Sequence, residues 1–287
     1  SLRFLSVSLF LILKSIVVTT LSRVALCSSI ASVALLSSAP ISWWRFLIWD
    51  HLPNSGTKNV SERHEIDQNK LKNYLKERLV NFGEIKSIKE FIGGQSNPTY
   101  LLKTQSESYV LRRKPPGKLL KSAHAVDREY KVIAALNKTD VPVPKAFLHC
   151  EDESVIGTEF FLMSFVDGEV MWEPHIPQAS NEERQKIYHS MNETIAKLHK
   201  VDHESIGLDS FGKPGNYVGR QVARWSKQYV ASETREIKSM NNLMEWLPKT
   251  LPVEKATKLV HGDFSLSNVM IDLKTFKICA ILDWELS

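Results

Sequence analysis

The sequence predicts an α+β protein of two lobes, a small strand-rich one followed by a helical one. Strand-like runs crowd residues 85–113 and 144–166 around a single helical stretch. Beyond Asp167-Gly168 the apolar period lengthens to three or four residues, and short strands return only near the end. Strands grouped ahead of helices argue against the regular alternation of a doubly wound parallel sheet. With 287 residues, 43% hydrophobic and 24% charged, the chain has ample material for a globular core.

Residues 1–49 contain eleven serines, no acidic side chain, and apolar runs at 4–13 and 24–36. A mitochondrial presequence, a membrane span over residues 2–21 carrying Arg3 and Lys14, and untranslated sequence all remain open readings. The first methionine is Met163, so Ser1 is not expected to be the natural start. A polar, turn-rich stretch at 50–62 closes this leader, so residues 1–62 are expected to be leader plus linker. A membrane partner is expected only if the leader is genuine.

The next elements follow in order. An amphipathic helix is expected at 67–81, with Leu71, Tyr74, Leu75 and Leu79 on one stripe and Asp67 as N-cap. Strands are expected at 85–92, 99–103 and 108–113, then a helix at 122–136 and a strand pair at 144–150 and 158–166. The clearest helix is 181–201, where Ile187, Met191, Ile195 and Leu198 recur at helical spacing. Short strands are expected at 259–260, 269–271 and 277–282. Residues 63–166 would form the first lobe and 167–287 the second.

Charge and cysteine content exclude several classes. The net charge is +5, but most of it belongs to the leader, and the remainder has no clustered basic run of the kind a nucleic-acid binder shows. Cys27, Cys150 and Cys279 are odd in number and far apart, which argues against a disulfide scaffold or zinc cluster. Three glycosylation-type matches, at Asn59, Asn137 and Asn192, read as chance.

The chemistry concentrates in 259–285, LVHGDFSLSNVMIDLKTFKICAILDWE. His261-Gly262-Asp263 is expected in a loop after an apolar strand, with Asn268 five residues on. A hairpin turning at 273–275 would bring Asn268 back beside Asp283. An Asn carbonyl and an Asp carboxylate suit Mg²⁺, a hard cation that prefers oxygen ligands and substrate phosphates. Asp263 is then placed to take a proton from a substrate hydroxyl, the division of labour found in phosphoryl transfer. A metal hydrolase built on His261, Asp263 and Asp283 fits less well, because catalytic zinc uses more nitrogen or sulfur donors.

Several strings carry a resemblance to a known family: FIGGQSNPTYLL (91–102), YVLRRKPPGKLL (109–120), AHAVDREYKVIAAL (123–136), VPVPKAFLHCED (141–152), FFLMSFVDG (160–168), HGDFSLSN (261–268) and ILDWELS (281–287). Together they resemble the aminoglycoside phosphotransferase/choline kinase-like family, distant relatives of protein kinases. Within it, the wording is similar to the kinase-like N-terminal domain of acyl-CoA dehydrogenase family member 10 and 11 proteins. The resemblance implies a bilobal protein-kinase-like fold with ATP and Mg²⁺ between the lobes and a hydroxyl-bearing acceptor, possible examples being hydroxyacyl-CoA thioesters. It favours a mitochondrial or peroxisomal setting, and FAD only where a dehydrogenase domain follows.

The resemblance also implies roles for individual residues. Gly93, Gly94, Gln95, Ser96 and Asn97 would cover the nucleotide phosphates, paired glycines allowing close backbone approach. Val110 would lie against adenine and Arg112, two residues along the same strand face, would meet the α/β-phosphates, with Arg113 as the alternative. Glu129 would pair with Arg112, and the backbone near Met163–Phe165 would bind the adenine edge. Two departures stand out. Ser265 replaces a cation common in relatives, and relatives continue past the DWE motif, so the second lobe is expected to be incomplete. A non-catalytic nucleotide-binding or regulatory module is the competing expectation.

Overall fold

A computed structural model describes residues 56–92, 97–115, 125–213 and 215–287. The leader up to residue 55, Cys27 and the Gly93–Ser96 part of the expected phosphate loop lie outside the described residues. Six antiparallel strands form the main sheet: β1 (Thr57–Lys58), β2 (Ser87–Phe91), β3 (Thr99–Lys103), β4 (Ser108–Arg113), β5 (Ala146–Cys150) and β6 (Phe160–Ser164). Their order is β1-β2-β3-β4-β6-β5. β1 falls inside the stretch read from sequence as linker, and it extends the sheet by pairing Thr57 with Phe91.

Helix α1 (Gln68–Arg78) begins at Asp67, whose carboxylate accepts from the Asn69 and Lys70 N–H groups at 3.1 Å. Leu71 and Leu75 are fully buried against one face of the sheet, beside Tyr100, Leu102, Leu111 and Phe160. The helix stops three residues short of the expected 81. Leu79 is already extended and Asn81 takes a left-handed φ of 62°, a conformation Asn tolerates better than most residues.

The opposite sheet face packs on α2 (Val126–Leu136). Period-two alternation divides β4 between the faces. Tyr109 and Leu111 join the α1 side, whereas Val110 joins Val126, Ile133, Leu136 and Phe161. This second core continues into α3 (Asn181–Lys200) and into a ribbon of β7 (Val269–Asp272) and β8 (Lys277–Ile281). Buried apolar packing therefore crosses the expected lobe boundary at 166.

A capping box starts α3: the Ser180 hydroxyl accepts from the Glu183 N–H at 3.2 Å, and the Glu183 carboxylate accepts from the Ser180 N–H at 2.8 Å. The ribbon is held from three sides. Ile278 N–H donates to the buried Ser190 hydroxyl of α3 at 2.9 Å, Glu169 exchanges backbone bonds with Ile271, and Ile281 N–H donates to the Pro142 carbonyl at 2.9 Å. A side chain on Gly168 would sit 2.8 Å from Cys279 Sγ, so that glycine lets the chain leaving β6 approach the ribbon.

Two further helices, α4 (Tyr217–Ser232) and α5 (Lys238–Trp246), bury little; Val222 is the only buried residue of the two. Residues 259–260, expected as a strand, are not one. Leu259 is buried in the core, but the segment has no ladder partner among the described residues. No described helix is long and apolar enough to cross a membrane. Cys150 and Cys279 are free thiols. The Asn137 amide is engaged at both ends, donating to the Pro144 carbonyl and accepting from the Ala146 N–H, which ties α2 to β5.

Candidate active site

Four hydrogen bonds assemble the C-terminal cluster. The ribbon pairs Val269 with Ile281, and one step further out the Leu282 N–H donates to the Asn268 carbonyl at 2.9 Å. Asn268 therefore meets the chain immediately before Asp283, as hairpin pairing requires. The Asn268 Nδ2 donates to the Asp263 carbonyl at 2.9 Å, which fixes the orientation of the amide and leaves its Oδ1 end for a ligand. His261 closes the knot. Its Nε2 donates to the Leu282 carbonyl at 2.8 Å, and its Nδ1 accepts from the Asp263 N–H at 3.2 Å.

The knot includes two left-handed backbone positions. Asp283 has φ 61°, which turns its carboxylate out of the β8 line while the next residue, Trp284, is wholly buried. The Trp284 ring packs 4.7 Å from the His261 ring. Gly262 has φ 82°, and a Cβ there would lie 2.5 Å from the Leu286 carbonyl. No L side chain fits that contact without displacing the tail after Asp283. The glycine of HGD thus serves a close approach that its spacing alone does not reveal.

From the sheet, β4 delivers Arg112 to the same place. Arg112 Nε lies 2.8 Å from Glu129 Oε2, an ion pair rather than an aligned hydrogen bond, and Nη2 donates to Asp283 Oδ1 at 3.2 Å. Glu129 and Arg112 are nearly sealed from solvent, with side chains 2% and 13% exposed, whereas Asp283 is 32% exposed. Burial pushes the Glu129 carboxyl up to about 7; Arg112 opposes this, and the nearby Asp283 and Glu285 charges reinforce it. Burial also works against the Arg112 charge, but the surrounding carboxylates outweigh it and push the guanidinium up. Arg112 thus sits against Glu129 and Asp283, with Glu285 near enough to add to the field that keeps it charged.

Arg113 faces the other way. Its Nη1 donates to the Ile156 carbonyl at 3.2 Å, and its guanidinium lies over the Tyr100 ring. The strand register therefore selects Arg112 for the cleft and gives Arg113 a packing role. Val110 and Met163 are cross-strand partners on the Arg112 face. Asn97, the last residue of the expected phosphate loop, is fully buried, its carbonyl accepting from the Thr99 hydroxyl at 3.0 Å.

The segment expected to meet the adenine edge, Met163–Phe165, is the end of β6 and its exit. Met163 sits in ladders with both Val110 and Ala146, Ser164 N–H donates to the Lys145 carbonyl, and Phe165 N–H donates to the Ser108 carbonyl. The Ser164 and Phe165 N–H groups are thus engaged by the sheet. Ser265 forms a hydroxyl pair with Ser267 at 2.8 Å.

Sequence reasoning missed two features. Arg128, next to Glu129, lies over the Phe211 ring and donates to the Phe211 and Ser287 carbonyls at 2.9 and 3.0 Å, tying α2 to the tail after the DWE motif. A cavity of about 1140 Å³ opens beside that tail, with Lys114, Arg128, Lys213, Arg220, Arg224 and Lys258 in its wall. These cations come from distant segments, so no basic run marks them.

Sheet, ribbon and charge cluster define a protein-kinase-like phosphotransferase fold, and comparison with known proteins makes the assignment specific. The model of the phosphotransferase enzyme family (APH) matches residues 87–287, and this chain belongs to that family. Mouse acyl-CoA dehydrogenase family member 10 is 43% identical over 239 residues, covering 83% of this chain and 22% of that protein. Mouse acyl-CoA dehydrogenase family member 11 is 44% identical over 238 residues, covering 81% and 31%. The chain thus spans less than a third of these relatives. A crystal structure from Ralstonia eutropha, assigned as an aminoglycoside phosphotransferase, is 46% identical with a TM-score of 0.69, covering 77% of this chain and 65% of its own. A macrolide 2'-phosphotransferase from Brachybacterium faecium, 16% identical with a TM-score of 0.53 over 75% of this chain and 71% of its own, shares the fold.

Proposed function

We propose that the chain transfers the γ-phosphoryl group of ATP to the hydroxyl of a small acceptor of the hydroxyacyl-CoA class. The observation that carries this reading is the bonded knot of Asp263, Asn268 and Asp283, with Arg112 arriving from the sheet. The Asp263 carboxylate accepts the hydroxyl proton as the acceptor oxygen bonds to the γ-phosphorus; the bond to the β-bridging oxygen breaks and ADP leaves. Arg112, steadied by Glu129, offers a guanidinium fork to the α/β-phosphates. Asn268 Oδ1 and the Asp283 carboxylate supply the hard oxygen donors that fit Mg²⁺. When bound there, Mg²⁺ supplies neutralisation of the phosphate charge.

The acceptor class rests on two supports. The cavity wall carries six Lys and Arg side chains against Asp127, Asp209 and Glu285, a net positive lining that suits a ligand with phosphate groups, and the two similar mouse proteins bear acyl-CoA dehydrogenase names. Ser265, standing where a cation is common, favours the second reading of a nucleotide-binding module without turnover.

One experiment separates the two. The protein and its Asp263→Asn variant are assayed with ATP, Mg²⁺ and a panel of hydroxylated acyl-CoA thioesters. The expected result is one ADP per phosphorylated acceptor, with kcat at least about 10²-fold lower in the variant and ADP binding retained. Unchanged turnover in the variant overturns the role of Asp263. MgADP binding without transfer to any acceptor on the panel supports the module.

A further inference from the structure

Arg112 makes its two contacts through different parts of the guanidinium. Nε is held at 2.8 Å by Glu129, which is buried, and Nη2 reaches Asp283 at 3.2 Å near the solvent edge. The Asp283 main chain is fixed on both sides, by the Leu282 N–H to Asn268 bond before it and the buried Trp284 after it. Opening the Arg112–Asp283 contact therefore needs only side-chain rotation, whereas opening Arg112–Glu129 strands a buried carboxylate. The residue proposed to meet phosphate and the residue proposed to hold the metal neutralise each other.

We infer that the Arg112–Asp283 pair is a charge latch that couples nucleotide binding to metal binding. This deepens the proposed function and rests on it. A cation approaching Asp283 meets a guanidinium on the same carboxylate, and a phosphate approaching Arg112 meets a carboxylate on the same guanidinium. Each ligand must displace what the other would also displace, so the first to bind releases the partner group for the second. The coupling is positive and reciprocal, and it exists apart from direct chelation of the metal by the nucleotide.

The test uses ADP alone in excess EDTA, measured by titration calorimetry. Asp283→Asn removes both the latch and the direct repulsion between carboxylate and phosphate, so it is compared in two backgrounds. With Arg112 present, the substitution tightens metal-free ADP about three- to fivefold, the range of a partly exposed ion pair. In the Arg112→Gln background the gain is clearly smaller, because only direct repulsion remains. Equal gains in both backgrounds, or none in either, overturn the latch. If Arg112→Gln fails to fold with Glu129 left unpaired, the same cycle is run in Arg112→Gln/Glu129→Gln. If ADP binds too weakly to that background, the cycle is read by urea denaturation without ligand, where zero coupling overturns the latch. Absence of ADP binding by the unsubstituted protein, with and without Mg²⁺, overturns the proposed function itself.

Discussion

The His261 imidazole donates from Nε2 to the carbonyl of Leu282, 21 residues away, at 2.8 Å. The carbonyl can only accept, so the proton sits on Nε2, and Nδ1 is left to accept from the Asp263 N–H. Both nitrogens are spent inside the protein. The histidine of the HGD motif is therefore a strut between the loop carrying Asp263 and the strand end carrying Asp283, and it is not available as a metal ligand.

His261→Ala leaves the Leu282 carbonyl and the Asp263 N–H unpartnered in a site where the histidine is 1% exposed. The expected loss is about 2–4 kcal/mol of stability, together with a fall in kcat. His261→Phe restores the ring against Trp284 but neither hydrogen bond, so it recovers only part of that stability. Urea denaturation of the three proteins checks this. A variant as stable as the parent removes His261 from its structural role.

Much of the site was legible because it lies within one short segment. A hairpin turn between two apolar runs fixes which residues face each other, so Asn268 and Asp283 could be brought together from spacing. Strand alternation likewise put Val110 and Arg112 on one face, and the 3.6-residue period put Glu129 beside Ile133 and Leu136. Features that depend on separate elements were hidden. Nothing in the sequence says that Arg112 reaches Asp283, 171 residues on, or that Gly262 must clear the Leu286 carbonyl. The 259–260 segment misled because apolar β-branched character marks burial as readily as pairing.

Arg112 and Arg113 are adjacent, yet their substitutions separate by readout. Arg113→Gln removes a buried contact to the Ile156 carbonyl on the α1 side. It costs about 1–3 kcal/mol of stability with MgADP affinity unchanged. Arg112→Lys keeps a positive charge for Glu129 but loses the guanidinium fork, so MgADP binds more weakly with a smaller stability change. Calorimetric affinity set against the denaturation midpoint checks both, and a loss of MgADP affinity in Arg113→Gln means the register argument is wrong.

Glu129 makes stability depend on pH in a specific direction. Burial raises its carboxyl from an ordinary value of 4.5 to about 7, so between those values the folded protein holds a proton that the unfolded chain has released. Stability contributed by this group is greatest below pH 4.5, falls as pH rises through the window, and levels off above 7. Glu129→Gln removes the titration. Denaturation midpoints at pH 5 and 8 should therefore show the parent losing more than the variant on going to pH 8. A parent-to-variant difference that stays constant across that range contradicts the raised value.

Asn268 tests the metal assignment without confusing it with the base. Its Nδ2 is tied to the Asp263 carbonyl, so Asn268→Ala removes both the proposed oxygen donor and the bond that orients the Asp263 loop. Asn268→Asp keeps an oxygen for the cation but sets a carboxylate oxygen against the Asp263 carbonyl. Both should raise the Mg²⁺ concentration for half-maximal ADP binding by at least about tenfold, the alanine variant more. Raising Mg²⁺ restores much of the turnover in either variant, because the defect is one of occupancy. Asp263→Asn does not respond to added Mg²⁺, since no concentration of metal replaces a proton acceptor. If Asn268→Ala and Asp263→Asn behave alike under Mg²⁺ titration, the two side chains do not divide the chemistry between them.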